Sequence, residues 1–475
     1  MAHCFRERKK KHLKKNLSKI NNISSSFRDP SGFVFLHENE IYRQINPVYK
    51  KDYEYFVSSG LYNKLCELGF LIPHKEVEIQ AKDAWKTIKP TLIPFISYPY
   101  EWCFGMVKDA ALLTLQIQKV ALEHNMSLKD ASGFNIQFYN GKPILIDTLS
   151  FEIYNDSKPW VAYKQFVEHF LAPLYVMSMV DVRLNRLSSV FLDGIPVDLA
   201  ARLLPLRSRL DFRLLIHIHA HAGTQKKFSG KKLHEATNTK MFSKQSLLGM
   251  IQNLEGAVKK AKWNPKGTQW EGYYEEENNN YTSVSMQHKI SLTKEYLSVV
   301  KPKIVWDMGA NTGFFSRIAA ENGATVVSFD HDYGALEKNY HMVVERKETH
   351  ILPLFCDLTN PTPGLGWAND ERLSILQRGN ADVVLALALV HHVAITANMP
   401  FSYIASCFSQ MGKYLVIEFV DAEDSQVKKL PTNREDIFKR YTQSNFEKSF
   451  EKFYTIKKAT PIKDSKRILY LMQKK

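Results

Sequence analysis

The chain has 475 residues, of which 44% are hydrophobic and 24% are charged, and its formal net charge at pH 7 is +15. This length exceeds what one ordinary hydrophobic core supports, so we expect two or three globular domains. The five cysteines stand without C-x-x-C spacing, which argues against a zinc ribbon or a disulfide framework and predicts a reducing, cytoplasmic environment. The apolar runs are too short to span a bilayer and no signal peptide is evident, so we expect no membrane span.

The first 20 residues carry eight basic side chains and one acidic side chain. A tail of this kind can contact nucleic acid or acidic lipid. No aromatic platform is interleaved with these charges, which favours a solvated extension over a nucleic-acid track. We therefore interpret residues 1–28 as a basic flexible tail and keep nucleic acid as the less favoured partner.

Residues 29–222 have the composition of a globular accessory domain that mixes helices and strands. Helices are predicted where apolar side chains recur at helical spacing, over residues 53–68, 101–124, 160–179 and 197–221. The dipeptide Asn140-Gly141 is typical of a tight β-hairpin and separates two short predicted strands, 135–139 and 143–146. We therefore expect a mixed α+β domain in this region.

The segment that contains this hairpin also carries polar residues at characteristic positions. Asp130 is followed five residues later by Asn135, and the hairpin ends at Asp147. This arrangement resembles the catalytic segment of kinase-like phosphotransferases, in which the first Asp orients a hydroxyl while the Asn and the last Asp hold magnesium. The segment lacks the family's preceding His and following Gly, and we find no glycine-rich phosphate loop or assignable strand lysine. The resemblance implies a kinase-like but inactive lobe, and a hairpin that only folds locally is the alternative.

Residues 223–280 separate this region from the last part of the chain. The stretch 223–232 is polar and basic, and 263–280 is rich in Gly, Asn and Glu. These compositions are typical of loops, so we interpret 223–280 as a linker and helical connector. A predicted helix over 281–300 then opens the last domain.

The stretch 303–316 reads K-I-V-W-D-M-G-A-N-T-G-F-F-S. An apolar strand ends at Asp307, Gly309 and Gly313 bracket a tight turn, and the following residues open a helix. A strand, a glycine turn and a helix N-terminus bring backbone N–H groups close to a ligand. The dinucleotide fingerprint G-x-G-x-x-G is absent, which argues against an NAD-dependent oxidoreductase. A βα turn that holds no ligand is the structural alternative.

The order Asp307-x-Gly309-x-x-x-Gly313 resembles the first motif of class I S-adenosylmethionine-dependent methyltransferases. That resemblance implies S-adenosyl-L-methionine as the cofactor. An acidic strand end suits the amine of the cofactor's methionine part, and a helix N-terminus suits its carboxylate. The cofactor-binding residues implied within this turn are Asp307, Gly309, Ala310, Asn311 and Gly313.

From residue 303 onward the sequence alternates predicted strands with predicted helices. The strands are predicted at 303–306, 324–329, 350–355, 381–389, 413–419, 453–459 and 467–471, and the helices at 314–322, 333–344 and 400–411. This alternation predicts an α/β, Rossmann-like, doubly wound sheet whose last two strands form an edge hairpin. It resembles the seven-stranded methyltransferase sheet with its antiparallel final strand, and we interpret 281–475 as the S-adenosylmethionine-dependent methyltransferase domain.

Two further acids follow predicted strands. Asp330 ends the second strand and can accept hydrogen bonds from a ribose diol, although Asp332 could take its place. Asp357 follows the third strand and can accept from the adenine exocyclic amine, with Leu358 and Phe355 near the ring. A solvated loop acid and a helix N-cap are the structural alternatives. Together with the glycine turn, these acids strengthen the methyltransferase resemblance.

The fourth predicted strand runs into His391 and His392. The carboxyl end of this strand would face the cofactor's methyl group. Either imidazole could take a proton from an acceptor oxygen or nitrogen, since histidine titrates near neutral pH. The alternative is that both histidines form a pocket wall, because methyl transfer gains mostly from positioning. Glu418 in the fifth strand could orient a substrate or a neighbouring helix.

The sequence therefore predicts a methyltransferase with an N-terminal accessory domain. We expect a small molecule or a glycan as the methyl acceptor, ahead of protein or RNA. The alternatives are a cofactor-binding regulatory protein without turnover, and a bifunctional protein whose N-terminal lobe is an active kinase. No metal site and no particular oligomeric state is predicted.

Overall fold

A computed structural model describes residues 21–79, 81, 83–156, 158–220, 243–265, 281–428 and 440–475. Most of the predicted basic tail and much of the predicted connector lie outside these residues. Within the described ranges, no helix is both long enough and apolar enough to cross a membrane.

The first strands form an antiparallel five-stranded sheet. They are Asn21–Asn22, Val34–His37, Glu40–Ile45, His74–Val77 and Lys86–Pro90, numbered β1 to β5. Their spatial order is β1-β2-β3-β5-β4, and the sheet buries apolar side chains such as Phe35, Ile45 and Ile88. Two helices connect β3 to β4, Lys50–Ser58 (α1) and Leu61–Glu67 (α2). The single helix predicted over 53–68 was therefore wrong, because Gly60 takes a left-handed φ of 80° and separates the two.

The region after this sheet is built around one long buried helix, Phe104–Glu123 (α3). Four short strands follow it, Met126–Leu128, Ile136–Tyr139, Lys142–Leu145 and Phe151–Ile153 (β6 to β9). β6 pairs with β9, and β7 pairs with β8 in the predicted hairpin. Asn140 and Gly141 have φ values of 52° and 73°, as a tight two-residue hairpin turn requires.

Further helices complete this region. They are Tyr163–Phe166, Ala172–Met179, Leu187–Val190, Val197–Leu203, Phe212–Leu214 and Lys244–Lys260 (α4 to α9). A π-helical turn over Val167–Leu171 joins α4 to α5, so most of the predicted helix over 160–179 is present. The continuous helix predicted over 197–221 was wrong, because Pro205 cannot continue α7 and a separate 3-10 helix, Leu206–Leu210, follows.

The last region contains a seven-stranded sheet. Its strands are Ile304–Met308, Thr325–Asp330, Ile351–Phe355, Ala381–Ala386, Gly412–Val420, Tyr454–Pro461 and Arg467–Lys474 (β10 to β16). The spatial order is β12-β11-β10-β13-β14-β16-β15, and β16 alone runs in the direction opposite to the other six strands. This order confirms the predicted Rossmann-like methyltransferase sheet with its antiparallel final strand and edge hairpin. The strand predicted over 381–389 is shorter, because Ala388 adopts a left-handed φ of 50° beyond its end.

Helices cover both faces of this sheet, as a doubly wound fold requires. They are Ser283–Val300, Phe314–Glu321, Tyr333–Glu345, Phe401–Met411, Ser425–Lys428 and Gln443–Phe450 (α10 to α15). α10 and α11 pack with Val305 and its neighbours on one face, whereas α12 and α13 pack with Trp306 on the other. Alternate residues of each strand therefore serve two separate cores.

The accessory region packs on the face that carries α12 and α13, and the two share one apolar cluster. The ring of Phe95 lies 5.6 Å from that of Trp306. Arg378 donates to the carboxylate of Glu101 at 2.5 and 2.7 Å, and both side chains are almost fully buried. A charge pair of this kind fixes the relative position of the two packed regions, since shifting one along the other would leave a buried charge without its partner.

Candidate functional site

The turn after β10 is held against the end of β11 by its backbone. The N–H groups of Gly309 and Ala310 both donate to the carbonyl oxygen of Phe329, each at 2.9 Å. Gly309, Asn311 and Gly313 have φ values of 75°, 53° and 81°, a left-handed path that favours glycine and asparagine. A Cβ at position 309 would lie 3.2 Å from Cδ1 of Leu389. The turn therefore keeps a narrow gap that a side chain at 309 would fill.

Asp307 lies buried beneath this turn. Its Oδ2 accepts a hydrogen bond from the hydroxyl of Ser316 at 2.6 Å. Burial raises the pKa of Asp307 to about 6, and nearby Asp330 adds to the rise. A ligand amine beside this carboxylate would stabilise its ionised form. The site therefore suits a cationic group.

Asp330 ties the same turn to β11. Its Oδ2 accepts from the backbone N–H of Asn311 at 2.7 Å, and its Oδ1 accepts from that of Asp332 at 2.8 Å. Burial raises the pKa of Asp330. Asp332, the alternative ribose acid, caps α12 by accepting from the N–H groups of Gly334 and Ala335. Asp330 is thus the acid that lies against the glycine turn.

Asp357 and Leu358 follow β12 at the same edge of the sheet. Oδ1 of Asp357 accepts from the N–H and the hydroxyl of Thr359 at 2.9 and 2.6 Å. The residues that follow Asp357 are described by the structure and form a turn, not a helix. The alternative that Asp357 is a helix N-cap was therefore wrong. Leu358 packs partly against the shared core. The structure therefore brings all the predicted cofactor residues to the carboxyl edge of three neighbouring strands.

His391 and His392 lie beyond β13, with ring centroids 4.2 Å apart. His391 is buried, and its Nδ1 has no hydrogen-bond partner among the described residues. Burial lowers the pKa of His391 well below its ordinary value and that of His392 to about 4. Both rings are therefore neutral at pH 7, and the sequence-based expectation of titration near neutrality does not fit this environment.

Glu418 is the centre of a buried charge network. Its carboxylate lies 2.7 Å from Nζ of Lys289 and 3.3 Å from Nη1 of Arg467, and it accepts from the hydroxyl of Tyr281 at 2.5 Å. It also accepts from the backbone N–H of Ala388 at 2.9 Å. Burial opposes ionisation, yet Lys289 and Arg467 lower the pKa of Glu418 to about 2. Glu418 thereby fixes the loop that leads to the two histidines.

Sequence reasoning missed Lys289, Arg467 and Tyr281. The available signal was Glu418 itself, since a carboxylate in an apolar strand needs a buried partner. The partners could not be chosen from the sequence, because α10 and β16 meet β14 only in the fold.

The kinase-like segment of the accessory region is occupied by internal contacts. Oδ1 of Asp130 accepts from Nε2 of Gln165 at 2.8 Å, and Nδ2 of Asn135 donates to the hydroxyl of Ser150 at 3.3 Å. Asp147 forms an ion pair with Arg43 of β3, with 2.9 Å between Nη2 and Oδ1. Within the described part of the chain, no group of three or more His, Cys, Asp and Glu residues is arranged to hold a metal ion.

Comparison with known proteins places the whole chain in one family. No protein-family model matches it. The nodulation protein NoeA of Rhizobium meliloti (strain 1021) is 32% identical over 461 residues, which cover 95% of this chain and 96% of that protein. This chain belongs to the NoeA family. The match spans the accessory region as well as the seven-stranded sheet.

Solved structures cover a smaller share of the chain. The magnesium protoporphyrin IX methyltransferase ChlM from Synechocystis PCC 6803 with bound S-adenosylhomocysteine is 15% identical, with a TM-score of 0.29, and covers 40% of this chain and 84% of that chain. The bifunctional kinase-methyltransferase WbdD is 16% identical, with a TM-score of 0.28, and covers 40% of each chain. The fold assignment rests on the strand order described above.

The Glu418 network predicts a pH-dependent stability difference. The pKa of Glu418 is depressed on folding from 4.5 to about 2, so its contribution is complete above pH 4.5 and is lost as the pH falls towards 2. We expect the stability advantage of the wild type over Glu418→Gln to shrink by about 2 kcal/mol between pH 6 and pH 3 in urea unfolding. The exposed Glu321→Gln variant is the control and should follow the wild type at both pH values. An advantage over Glu418→Gln that is equal at the two values would contradict the ionised assignment.

Proposed function

We propose that the chain is an S-adenosylmethionine-dependent methyltransferase, with residues 281–475 as the methyltransferase domain and 29–222 as an accessory domain. The proposal rests on the arrangement of residues at the carboxyl edge of β10, β11 and β12. A left-handed glycine turn and three acids meet there. The known fold alone does not fix this chemistry, whereas the combination of turn and acids suits one ligand with an amine, a ribose and an adenine.

Each part of the edge has a separate proposed role. The buried Asp307 holds the amine of the cofactor's methionine part, and Gly309, Ala310, Asn311 and Gly313 leave room for the ligand. Asp330 accepts from the ribose hydroxyls, while Asp357 and Leu358 receive the adenine ring. The cofactor, when bound, supplies an activated methyl group. The protein's task is then to position an acceptor in line with that group and to exclude water.

We assign His391 and His392 to the acceptor side of the site. They follow β13, next to the strand that carries Asp307. Both are neutral at pH 7 because burial lowers their pKa values, so either ring can accept a hydrogen bond or a proton from an acceptor group. Their low basicity favours orientation of the acceptor over strong general-base catalysis.

The proposed acceptor is a small molecule or a glycan. Residues 301–475 carry 23 basic and 20 acidic side chains, a net charge of +3, which does not favour a nucleic-acid track. The name of the NoeA relative refers to nodulation, which is a biological process, so it does not identify the methyl acceptor. A regulatory protein that binds the cofactor without turnover is the second candidate, and the buried, weakly basic histidines are the observation that favours it.

The cofactor assignment can be tested by calorimetry with S-adenosylhomocysteine. Asp307→Asn keeps an oxygen for the Ser316 hydroxyl and removes the charge that would pair with the amine. We expect a loss of affinity of ~10-fold or more, the usual effect of losing a charged hydrogen bond. Glu321→Gln, an exposed acid at the far end of α11, should bind like the wild type. Wild-type protein that binds NAD and not S-adenosylhomocysteine would overturn the assignment.

We propose that the accessory domain is a recognition and packing domain without phosphotransfer activity. Phosphoryl transfer requires metal, phosphate cradle and lysine together. The Asp147 carboxylate pairs with Arg43, and Asp130 holds Gln165 and the N–H of Ser132. These contacts give each acid a structural role, and we propose that the lobe helps to close the acceptor pocket.

This proposal predicts the behaviour of Asp147→Ala. The variant should bind S-adenosylhomocysteine like the wild type, because Asp147 lies in the accessory domain and away from the glycine turn. Neither protein should show magnesium-dependent ATP binding in calorimetry. Arg43→Ala, which removes the other half of the pair, is the matched variant. Tight magnesium-dependent ATP binding by the wild type that is lost in Asp147→Ala would instead make the protein a bifunctional phosphotransferase–methyltransferase.

A further inference from the structure

Two hydrogen-bond donors lie buried and unused beside the end of β12. Nη1 of Arg186 and the hydroxyl of Tyr333 have no hydrogen-bond partner among the described residues. The ring of Tyr333 stacks on that of Phe355 with 4.6 Å between centroids, and the guanidinium carbon of Arg186 lies 5.0 Å from the same Phe355 centroid. A buried donor without an acceptor costs free energy, so this pair requires an explanation.

The two donors lie at the cofactor edge of the sheet. Phe355 is the last residue of β12 and is the direct cross-strand partner of Asp330 on β11. Tyr333 opens α12 immediately after Asp332. Burial raises the pKa of the Tyr333 hydroxyl well above its ordinary value, so the hydroxyl keeps its proton and remains a donor.

Arg186 reaches this place from the accessory region. It ends the 3-10 helix Val182–Arg186. The preceding residue, Asn185, is buried and donates through Nδ2 to the carbonyl oxygens of Pro99 and Trp102 at 2.9 and 2.8 Å. The backbone of Arg186 is thus held in position, and its guanidinium is aimed across the interface. Arg183 on the same helix is exposed and pairs with Asp181.

The two donors supply hydrogen bonds that the acids of the proposed cofactor site cannot supply. An ionised carboxylate only accepts hydrogen bonds, so Asp330 and Asp357 suit the ribose hydroxyls and the exocyclic amine. The ring nitrogens of adenine are acceptors and require donors. We propose that Nη1 of Arg186 and the hydroxyl of Tyr333 donate to the adenine ring, so that the accessory region completes the adenosine half of the cofactor pocket. This inference rests on the proposed function.

The test is calorimetry of the full chain with S-adenosylhomocysteine and with 5′-methylthioadenosine, which keeps the adenosine and lacks the amino-acid part. Arg186→Ala should weaken both ligands by the same factor, ~10-fold or more for a donor that carries charge. Tyr333→Phe keeps the ring on Phe355 and should weaken both ligands less. Arg183→Ala, a change of the same residue type on the same helix, should bind both like the wild type.

The outcomes separate the inference from the proposed function. Wild-type protein that binds neither ligand would overturn both. Wild-type binding with unchanged affinities in Arg186→Ala and Tyr333→Phe would overturn the inference alone. An Arg186→Ala variant that melts earlier and binds both ligands normally would show a purely packing role and would also overturn it. Should Arg186→Ala not fold, Tyr333→Phe decides, because it removes a single hydroxyl.

Discussion

The carboxyl edge of the sheet depends on the contacts that the buried carboxylate of Glu418 makes. This carboxylate joins four elements that are distant in the sequence, since β14 carries it, α10 supplies Lys289, β16 supplies Arg467 and the loop after β13 supplies the N–H of Ala388. In a low-dielectric interior none of these charges can be left alone without a large cost. The requirement that all four meet fixes the end of β13, and with it the approach to His391 and His392.

A second constraint fixes the accessory region on the sheet. Glu101 and Arg378 are both almost fully buried at the interface, and the ring cluster around Phe95 and Trp306 belongs to the same core. An interface of this kind resembles the interior of one domain more than a transient contact. The accessory region is therefore fixed beside the carboxyl edge of the sheet, and this position lets the guanidinium of Arg186 lie over the ring of Phe355.

The features that depend only on residues close together in the sequence could be predicted from the sequence. The hairpin at Asn140-Gly141 follows from two residues that accept positive φ, and the tight turn after Asp307 follows from the spacing of Gly309 and Gly313. The apolar strands of the last region gave the correct sheet because both of its faces are covered. Errors arose where a distant contact or a single residue decided the outcome. Apolar residues up to Leu389 predicted a longer β13, but the strand ends at Ala386, because the backbone turns at Ala388, whose N–H donates to Glu418.

The roles of charged residues were the least predictable part of the site. Arg43 lies on β3 and Asp147 lies in the loop after β8, and only the fold shows that they pair. The same holds for Arg186, whose neighbours Tyr333 and Phe355 belong to the region of the seven-stranded sheet. Histidine pKa values also depend on burial, which a sequence motif does not report, so the sequence left a proton acceptor and a pocket wall as equal alternatives for His391 and His392.

Hydrogen–deuterium exchange with and without S-adenosylhomocysteine tests the proposed cofactor site, because it reports where a ligand binds without requiring an acceptor. We expect slower exchange on ligand addition over residues 307–313, 330–335 and 355–359, at the ends of three adjacent strands. Exchange over 130–147 should change little. Unchanged exchange at the three strand ends, or protection confined to 130–147, would contradict the assignment of this edge as the cofactor site.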